Sequence, residues 1–136
     1  MPEKLTGSCL CRATQYRING EIRMAGNCHC NKCKKITGGP FQSFALVREE
    51  DFEFIQGEES LCTYQVSDNL AKHFCPACGT ALFNRNKMVP GKLIVQIGTL
   101  DTPAAVTPAY NLHCENMLPW ITSIGQIRSF VKGYEK

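Results

Sequence analysis

The chain has 136 residues, of which 43% are hydrophobic and 20% are charged. This balance is typical of a folded globular protein and excludes a disordered chain. No apolar run approaches the roughly 20 residues needed to span a bilayer, so we expect no membrane segment and no membrane partner. The length predicts a single domain over residues 1–136, built around one hydrophobic core.

The formal net charge of +3 does not indicate a nucleic acid partner. Basic residues are spread along the chain, and only Lys32, Lys34 and Lys35 are clustered. The first residues contain no apolar stretch of the kind found in a secretory signal peptide, so we expect a cytoplasmic protein. In a reducing compartment, clustered cysteines are more often metal ligands than disulfide partners.

Short strands separated by turns are predicted along most of the chain. Alternation of apolar and polar residues, or a short continuous apolar run, marks each strand, and Gly, Pro and Asn mark the turns. In chain order the predicted strands lie near 15–19, 41–47, 51–54, 61–64, 81–83 and 93–97. A loop is predicted over 101–108, and no segment of ten or more residues has a clean helical apolar stripe. The sequence therefore predicts a mainly β fold with irregular loops that are pinned by metal.

Seven of the nine cysteines fall into three short clusters. Thiolates this close together are typical ligands for a soft or borderline-soft metal, most plausibly zinc. An odd number of cysteines also argues against a closed disulfide framework. The clusters are Cys9-Leu-Cys11, Cys28-His-Cys30-Asn-Lys-Cys33 and Cys75-Pro-Ala-Cys78.

The third cluster has the form of a zinc knuckle, because two cysteines three residues apart in a tight turn can reach one ion. Gly79 permits the backbone geometry of that turn. Cys75 and Cys78 need two further thiolates, and Cys9 and Cys11 are the natural partners for a structural zinc site. Two alternatives remain open at this point, a redox pair of the thioredoxin kind in the third cluster and two unrelated buried cysteines in the first. A thioredoxin-type pair is followed by a helix, whereas a strand is predicted after the knuckle. This favours a metal site over a redox pair.

The middle cluster supplies three thiolates and leaves one coordination position open, as a catalytic zinc site requires. Cys28, Cys30 and Cys33 are therefore the predicted catalytic residues, and the lysines that follow would favour thiolates or attract an anion. One alternative is a second closed site, with His29 or a distant residue as the fourth ligand. Another is a relay of three thiols that operates when the metal is lost. We expect partial metal occupancy, because three ligands bind more weakly than four.

The remaining cysteines, histidines and tryptophan receive simpler interpretations. Cys62 is predicted to be a small buried residue in a strand, and Trp120 is predicted to be a core anchor. His73 is expected to pack within a strand, and His113 to be hydrogen-bonded at the end of one. No role is assigned to Cys114.

The ordered motifs of this chain resemble those of the glutathione-dependent formaldehyde-activating enzyme family, which also includes centromere protein V. The resemblance runs from about Gly7 to Trp120. The motifs that carry it are Gly7-Ser8-Cys9-Leu10-Cys11, Cys28-His29-Cys30, Cys33-Lys34-Lys35, Thr37-Gly38, Phe74-Cys75-Pro76, Cys78-Gly79-Thr80, Gly98-Thr99-Leu100-Asp101 and Pro119-Trp120.

This resemblance implies a β-tent fold of antiparallel sheets with two Zn²⁺ sites. It implies a carbon–sulfur lyase-type activity on an adduct of glutathione, or another thiol, with an aldehyde such as formaldehyde. The alternative is a non-catalytic zinc module that binds a thiol or a protein partner. At the positions of this chain that match the family's motifs, the resemblance implies that the ligands of the structural zinc are Cys9, Cys11, Cys75 and Cys78. It implies that the ligands of the catalytic-type zinc are Cys28, Cys30 and Cys33.

Three positions depart from the pattern of the family. Arg12 replaces a glycine that many members have after the first Cys-x-Cys, and His73 replaces an arginine. Asn111 stands where the family usually has a histidine eight residues before Pro-Trp, and His113 lies two places later. None of these positions is a predicted metal ligand, so the departures concern the substrate pocket.

Overall fold

The computed structural model describes residues 4–135, so residues 1–3 and 136 of the predicted domain lie outside the described residues. Short strands dominate, and the prediction of a mainly β fold is confirmed. The strands are β1 (Leu5–Ser8), β2 (Gln15–Ile18), β3 (Met24–Cys28), β4 (Gln42–Arg48), β5 (Phe52–Gln56), β6 (Cys62–Gln65), β7 (Leu70–Phe74), β8 (Ala81–Asn86), β9 (Lys92–Gln96) and β10 (Tyr110–Leu112). The helical elements are α1 (Asn31–Thr37) and the 3-10 segments Glu49–Asp51, Glu58–Ser60, Ile97–Thr99, Pro103–Ala105, Cys114–Asn116 and Pro119–Gln126.

The strands form two sheets. The smaller sheet has the order β1-β2-β5, and the larger one has the order β10-β3-β4-β9-β8-β7-β6. Neighbouring strands are antiparallel, except that β10 pairs with β3 in parallel. Antiparallel neighbours can be joined by short turns, whereas a parallel pair needs a long connection, which the chain supplies by returning to β10 late in the sequence.

The hydrophobic core combines side chains from both sheets. Tyr16 and Ile18 of the smaller sheet are buried with Phe83, Leu93 and Val95 of the larger sheet. Alternate residues of a strand point to opposite faces, so Tyr16 and Ile18 share the inner face of β2. The alternation that predicted a strand at this position thus also identified the buried side chains.

A short segment after β9 ties the smaller sheet to the larger one. The Tyr16 hydroxyl lies 2.7 Å from Oγ1 of Thr99. The Asp101 N–H donates to the Thr6 carbonyl at 2.9 Å, and the Thr6 hydroxyl donates to the Asp101 carboxylate at 2.6 Å. An isolated antiparallel bridge also pairs Gly7 with Leu100. These bonds set where β1 ends, and the first cysteine cluster begins at that point.

The helix α1 was not predicted, because its seven residues are too few for a periodic apolar stripe. Local capping specifies it instead. The Cys30 side chain accepts a hydrogen bond from the Cys33 N–H at the N-cap, and Gly38 ends the helix with φ of 73°. The Lys72 ammonium on β7 donates to the Ile36 carbonyl at 2.6 Å, which anchors the end of α1 to the larger sheet.

Two predictions of burial were wrong. Cys62 lies in a strand as predicted, but it is exposed, because β6 is an edge strand whose four residues all face solvent. Trp120 is 44% exposed and lies in a 3-10 segment with no buried residue, so it does not anchor the core. The loop predicted over 101–108 contains only one 3-10 turn. Within residues 4–135, no helix is long and apolar enough to cross a membrane.

We predict that Gly7→Ala destabilises the protein by about 1–3 kcal/mol, the usual cost of overpacking a tight site. A Cβ atom added at Gly7 would lie against the Tyr16 hydroxyl and only 2.6 Å from the Thr99 carbonyl oxygen. Urea unfolding measures the loss. The control is Gly98→Ala, where no heavy atom lies within 4 Å of the added Cβ. Equal unfolding midpoints for the two variants would contradict the packing argument.

Candidate metal centre and adjoining cavity

Four cysteine sulfurs from two distant loops meet at one point. The sulfurs of Cys9, Cys11, Cys75 and Cys78 all lie within 4.8 Å of one another. The Cys9 and Cys11 sulfurs are 3.6 Å apart, and those of Cys11 and Cys75 are 3.7 Å apart. A zinc ion at about 2.3 Å from four tetrahedral sulfurs separates them by about 3.8 Å. The donor set and its spacing therefore fit a tetrahedral metal ion.

Backbone geometry in the first loop brings its two sulfurs together. The Arg12 N–H donates to the Cys9 carbonyl at 3.1 Å, which closes a tight turn around Cys11. Arg12 itself has φ of 65°, in the left-handed region that favours glycine. This conformation gives a physical reason for the glycine that the resembled family often has at this position.

The knuckle loop reaches the same point through a second tight turn. The Gly79 N–H donates to the Cys75 carbonyl at 2.7 Å, and Gly79 has φ of 80°. The Leu10 N–H donates to the Thr80 hydroxyl at 3.1 Å, which joins the two loops directly. The next element is a strand, β8, rather than the helix that a thioredoxin-type redox pair requires.

The four thiols do not ionise alike. The Thr80 hydroxyl lies 3.2 Å from the Cys78 sulfur, and its hydrogen bond, together with those from the backbone of Cys11 and Thr80, lowers the pKa of Cys78 to about 5. The Ala13 N–H also lowers the pKa of Cys11, but the adjacent Cys9 thiol and burial outweigh it and raise that pKa to about 11. Four thiolates at these distances need a positive ion between them, and a divalent metal would supply it.

The middle cluster forms a second, separate group of three sulfurs. The sulfurs of Cys28, Cys30 and Cys33 lie within 4.8 Å of one another. Cys28 ends β3, Cys30 is the N-cap of α1, and Cys33 lies in the first turn of that helix. The strand-to-helix transition therefore turns three cysteines that are close in sequence toward one point.

Burial and local hydrogen bonds act differently on these three thiols. Burial raises the pKa values of Cys28 and Cys33. Burial also acts on Cys30, but hydrogen bonds, chiefly from the Cys33 N–H, outweigh it and lower the pKa of Cys30. A cysteine at a helix N-terminus is a favourable place for a thiolate. Cys30 is thus the most readily ionised member of the triplet.

The triplet borders a cavity of about 330 Å³, within the size range of small-molecule sites. One part of its wall is apolar and includes Phe44, Ile94 and Leu112. The other part carries amide and hydroxyl groups, and Lys32 and His113 also line the cavity. The polar lining residues are Gln42, Ser67, Asn69, Asn84 and Asn86.

His29 is not a member of the sulfur group. Its ring is 1% exposed and lies against Phe41, with ring centroids 5.1 Å apart. Its Nε2 lies 3.0 Å from Oδ1 of Asn111, and since that oxygen can only accept, Nε2 carries the hydrogen. Asn111 therefore orients His29, and the alternative of His29 as the fourth ligand is not supported by the geometry.

The three clustered lysines have separate positions. Lys32 lines the cavity. Lys34 donates to the Asn116 carbonyl, which joins α1 to the segment after β10. Lys35 lies beside Gly38 and Gly39 and does not line the cavity. One of the three is therefore placed to attract an anionic ligand toward the triplet.

The two remaining histidines occupy the predicted kinds of position. His73 on β7 stacks on Phe83, with ring centroids 4.7 Å apart, so its role in strand packing is confirmed. His113 directly follows β10, and its Nδ1 lies 3.4 Å from the Glu115 carboxylate. Its place on the cavity wall could not be predicted from the sequence, and neither could that of the amide residues. These side chains come from strands and loops that are far apart in the chain.

A family model described as "Glutathione-dependent formaldehyde-activating enzyme" matches residues 4–116. An "Uncharacterized lyase" of Schizosaccharomyces pombe is 30% identical over 83 residues, which cover 61% of this chain and 58% of that protein. A "Putative glutathione-dependent formaldehyde-activating enzyme" of Fusarium vanettenii is 26% identical over 85 residues, covering 58% of this chain and 45% of that protein. The chain thus spans about half the length of these curated relatives.

The fold is shared with a solved structure. The crystal structure of a Rhodobacter sphaeroides protein, a Northeast Structural Genomics target, superposes with a TM-score of 0.63. The two chains are 22% identical, and the match covers 78% of this chain and 98% of the other. At this identity the likeness establishes the fold alone.

We predict that Arg12→Gly raises the free energy of unfolding by about 0.5–1 kcal/mol, because it relieves a left-handed conformation that costs a side chain about 1–2 kcal/mol. Urea unfolding at saturating metal tests this. The control is Arg23→Gly, at another exposed arginine, where φ is not positive and glycine adds chain entropy and removes only an exposed ion pair with Glu21. An Arg12→Gly variant no more stable than the control variant would contradict the prediction.

Proposed function

Because the chain belongs to the glutathione-dependent formaldehyde-activating enzyme family, we propose that it is a zinc-dependent enzyme of the carbon–sulfur lyase type. Its substrate would be the adduct of glutathione, or a similar thiol, with an aldehyde such as formaldehyde. The observation that carries this proposal is the difference between the two sulfur groups. Among the described residues, one has four sulfurs, of which only that of Cys9 belongs to a residue lining a cavity, while the other has three and all three of its cysteines line one cavity.

The roles proposed for the two sulfur groups, structural and catalytic, follow from their numbers of ligands. Four thiolates complete a tetrahedron and serve a structural zinc ion, whereas three leave a position for a substrate. A zinc ion held by Cys28, Cys30 and Cys33 would keep a substrate thiol deprotonated at neutral pH. The structural ion would be held by Cys9, Cys11, Cys75 and Cys78.

The cavity wall suits a peptide-like thiol. Glutathione carries two carboxylates and two amide groups beside its thiol. Lys32 supplies a positive charge for a carboxylate, and the amides of Asn69 and Asn86 can exchange hydrogen bonds with peptide groups. The apolar wall, with Phe44 and Leu112, can pack against the methylene groups.

In the proposed reaction the substrate sulfur bonds to the carbonyl carbon of formaldehyde. The π electrons of the carbonyl move to its oxygen, which then takes up a proton, and the product is S-hydroxymethylglutathione. Among the described residues, Lys32 and His113 are the titratable side chains, other than cysteines, that line the cavity and could exchange that proton. The reverse reaction removes the proton and breaks the carbon–sulfur bond.

Metal analysis of single variants tests the two sites. At saturating zinc the wild-type protein is expected to hold two zinc ions and Cys33→Ala one, with the fold kept. We expect Cys75→Ala to lose the structural ion and to unfold readily, because structural zinc contributes folding free energy. Cys62→Ala, at an exposed cysteine outside both groups, is the control and should keep both ions. Two ions in Cys33→Ala would remove the triplet from the proposal.

Turnover and cobalt spectra test the catalytic role. Formation of S-hydroxymethylglutathione should fall in Cys30→Ala and Cys33→Ala by more than the 10–100-fold typical of a lost outer-shell partner. In the cobalt-substituted protein, glutathione should change the spectrum of one site and leave the other unchanged. If glutathione changes the spectrum of neither site and turnover is no faster than the uncatalysed addition, the results would favour the non-catalytic zinc module instead.

A further inference from the structure

Three amide side chains from neighbouring strands form a cluster directly beneath the triplet. They are Gln42 of β4, Asn84 of β8 and Gln96 of β9, and we call them the amide cluster. Gln42 is 3% exposed and Asn84 is 1% exposed. Asn84 Nδ2 donates to Oε1 of Gln42 at 2.8 Å, and Gln96 Nε2 donates to the same oxygen at 2.7 Å. Residues 42, 84 and 96 are far apart in sequence, so only the sheet brings them together.

These two donors determine which way the Gln42 amide faces. In the structure its oxygen points toward Asn84 and Gln96, and both of them direct N–H groups at it. Its nitrogen must then point to the opposite side, where Nε2 lies 3.6 Å from the Cys33 sulfur. The flipped amide would bring N–H groups together and place an oxygen against the sulfur, and each buried unmade hydrogen bond costs about 1–3 kcal/mol.

We propose that Gln42 is a positioning residue for the triplet, holding the Cys33 thiolate through an N–H···S hydrogen bond. The amide cluster makes Gln42 rigid, so the sulfur is held at one point on the cavity wall. Three thiolates around a divalent ion carry a net negative charge, and a fourth thiolate from a substrate adds another. An N–H donor at Cys33 disperses part of that charge, so that a substrate thiolate binds more easily.

The test uses Gln42→Met and Gln96→Met in the full chain. Methionine keeps the length of glutamine but has no N–H group. Gln42→Met removes the bond to sulfur, whereas Gln96→Met removes one bond within the amide cluster and leaves the sulfur contact. Both variants are loaded with cobalt, and the metal affinity of the triplet is measured by competition with a chelator. The four-sulfur group is the internal reference within each variant.

Gln42→Met should weaken metal binding at the triplet by about 10–100-fold, the usual effect of losing an outer-shell hydrogen bond. Its sulfur-to-cobalt charge-transfer bands should move to lower energy, because the lost N–H no longer stabilises the sulfur electrons. Gln96→Met should change the affinity less than about threefold, well below that range, and keep the bands in place. Equal effects in both variants, or none in either, would overturn the role of Gln42.

A measurement on the wild-type protein needs no substitution and decides the question if Gln42→Met does not fold. In the nuclear magnetic resonance spectrum of side-chain amides, one Gln42 Nε2 proton should shift and exchange slowly when zinc is added. The exposed Gln126 amide is the reference and should not respond. If the chemical shift and the exchange rate of the Gln42 Nε2 protons did not change when zinc is added, the proposal would be refuted.

The role of Gln42 rests on the proposed metal at the triplet, but the experiments distinguish a failure of that role from a failure of the proposed function. If the wild-type protein took up metal only at the four-sulfur group, the proposed function would fail together with the role of Gln42. If the wild-type triplet bound metal and both variants matched it, only the role of Gln42 would fail.

Discussion

The convergence of four sulfurs from two distant loops is the constraint on which the rest of the structure depends. Cys11 and Cys75 are 64 positions apart, yet their sulfurs are 3.7 Å apart. One loop joins β1 to β2 in the smaller sheet, and the other joins β7 to β8 in the larger sheet. Sulfurs this close cannot all be thiolates without a cation, so a metal ion there would join the two sheets as well as the two loops.

The triplet differs from the four-sulfur group in its backbone setting, because its cysteines lie where β3 leads into α1. The short helix α1 cannot rely on propensity or on an apolar stripe, and the Cys30 side chain caps its first turn. The group that caps the helix is thus also a candidate metal ligand. Capping holds that sulfur near one N–H, and the same strand-to-helix turn directs the triplet toward the cavity.

Buried polar groups around the triplet are connected rather than isolated. On one side, His29 bonds to Asn111, whose oxygen also accepts from Asn27 at 3.3 Å. On the other side lies the amide cluster of Gln42, Asn84 and Gln96. The hydrogen bonds restrict the side chains that they join and so hold the walls of the site in one arrangement. Among the described residues, His29 Nδ1 and Asn84 Oδ1 have no partner. One network contacts the triplet through Gln42 and Cys33, and the other includes His29, which lies between Cys28 and Cys30 in the sequence.

The sequence by itself determined six of the ten strands and the grouping of the cysteines, because alternation along a strand and close spacing of thiols are local properties. Beta strands near 15–19, 41–47 and 93–97 follow from that alternation. Only the tertiary structure decided that Cys62 and Trp120 are exposed, that a short helix begins at Cys30, and that Gln42 faces Cys33. Those outcomes depend on which strand lies at an edge and which distant residues become neighbours, and no local pattern encodes such contacts.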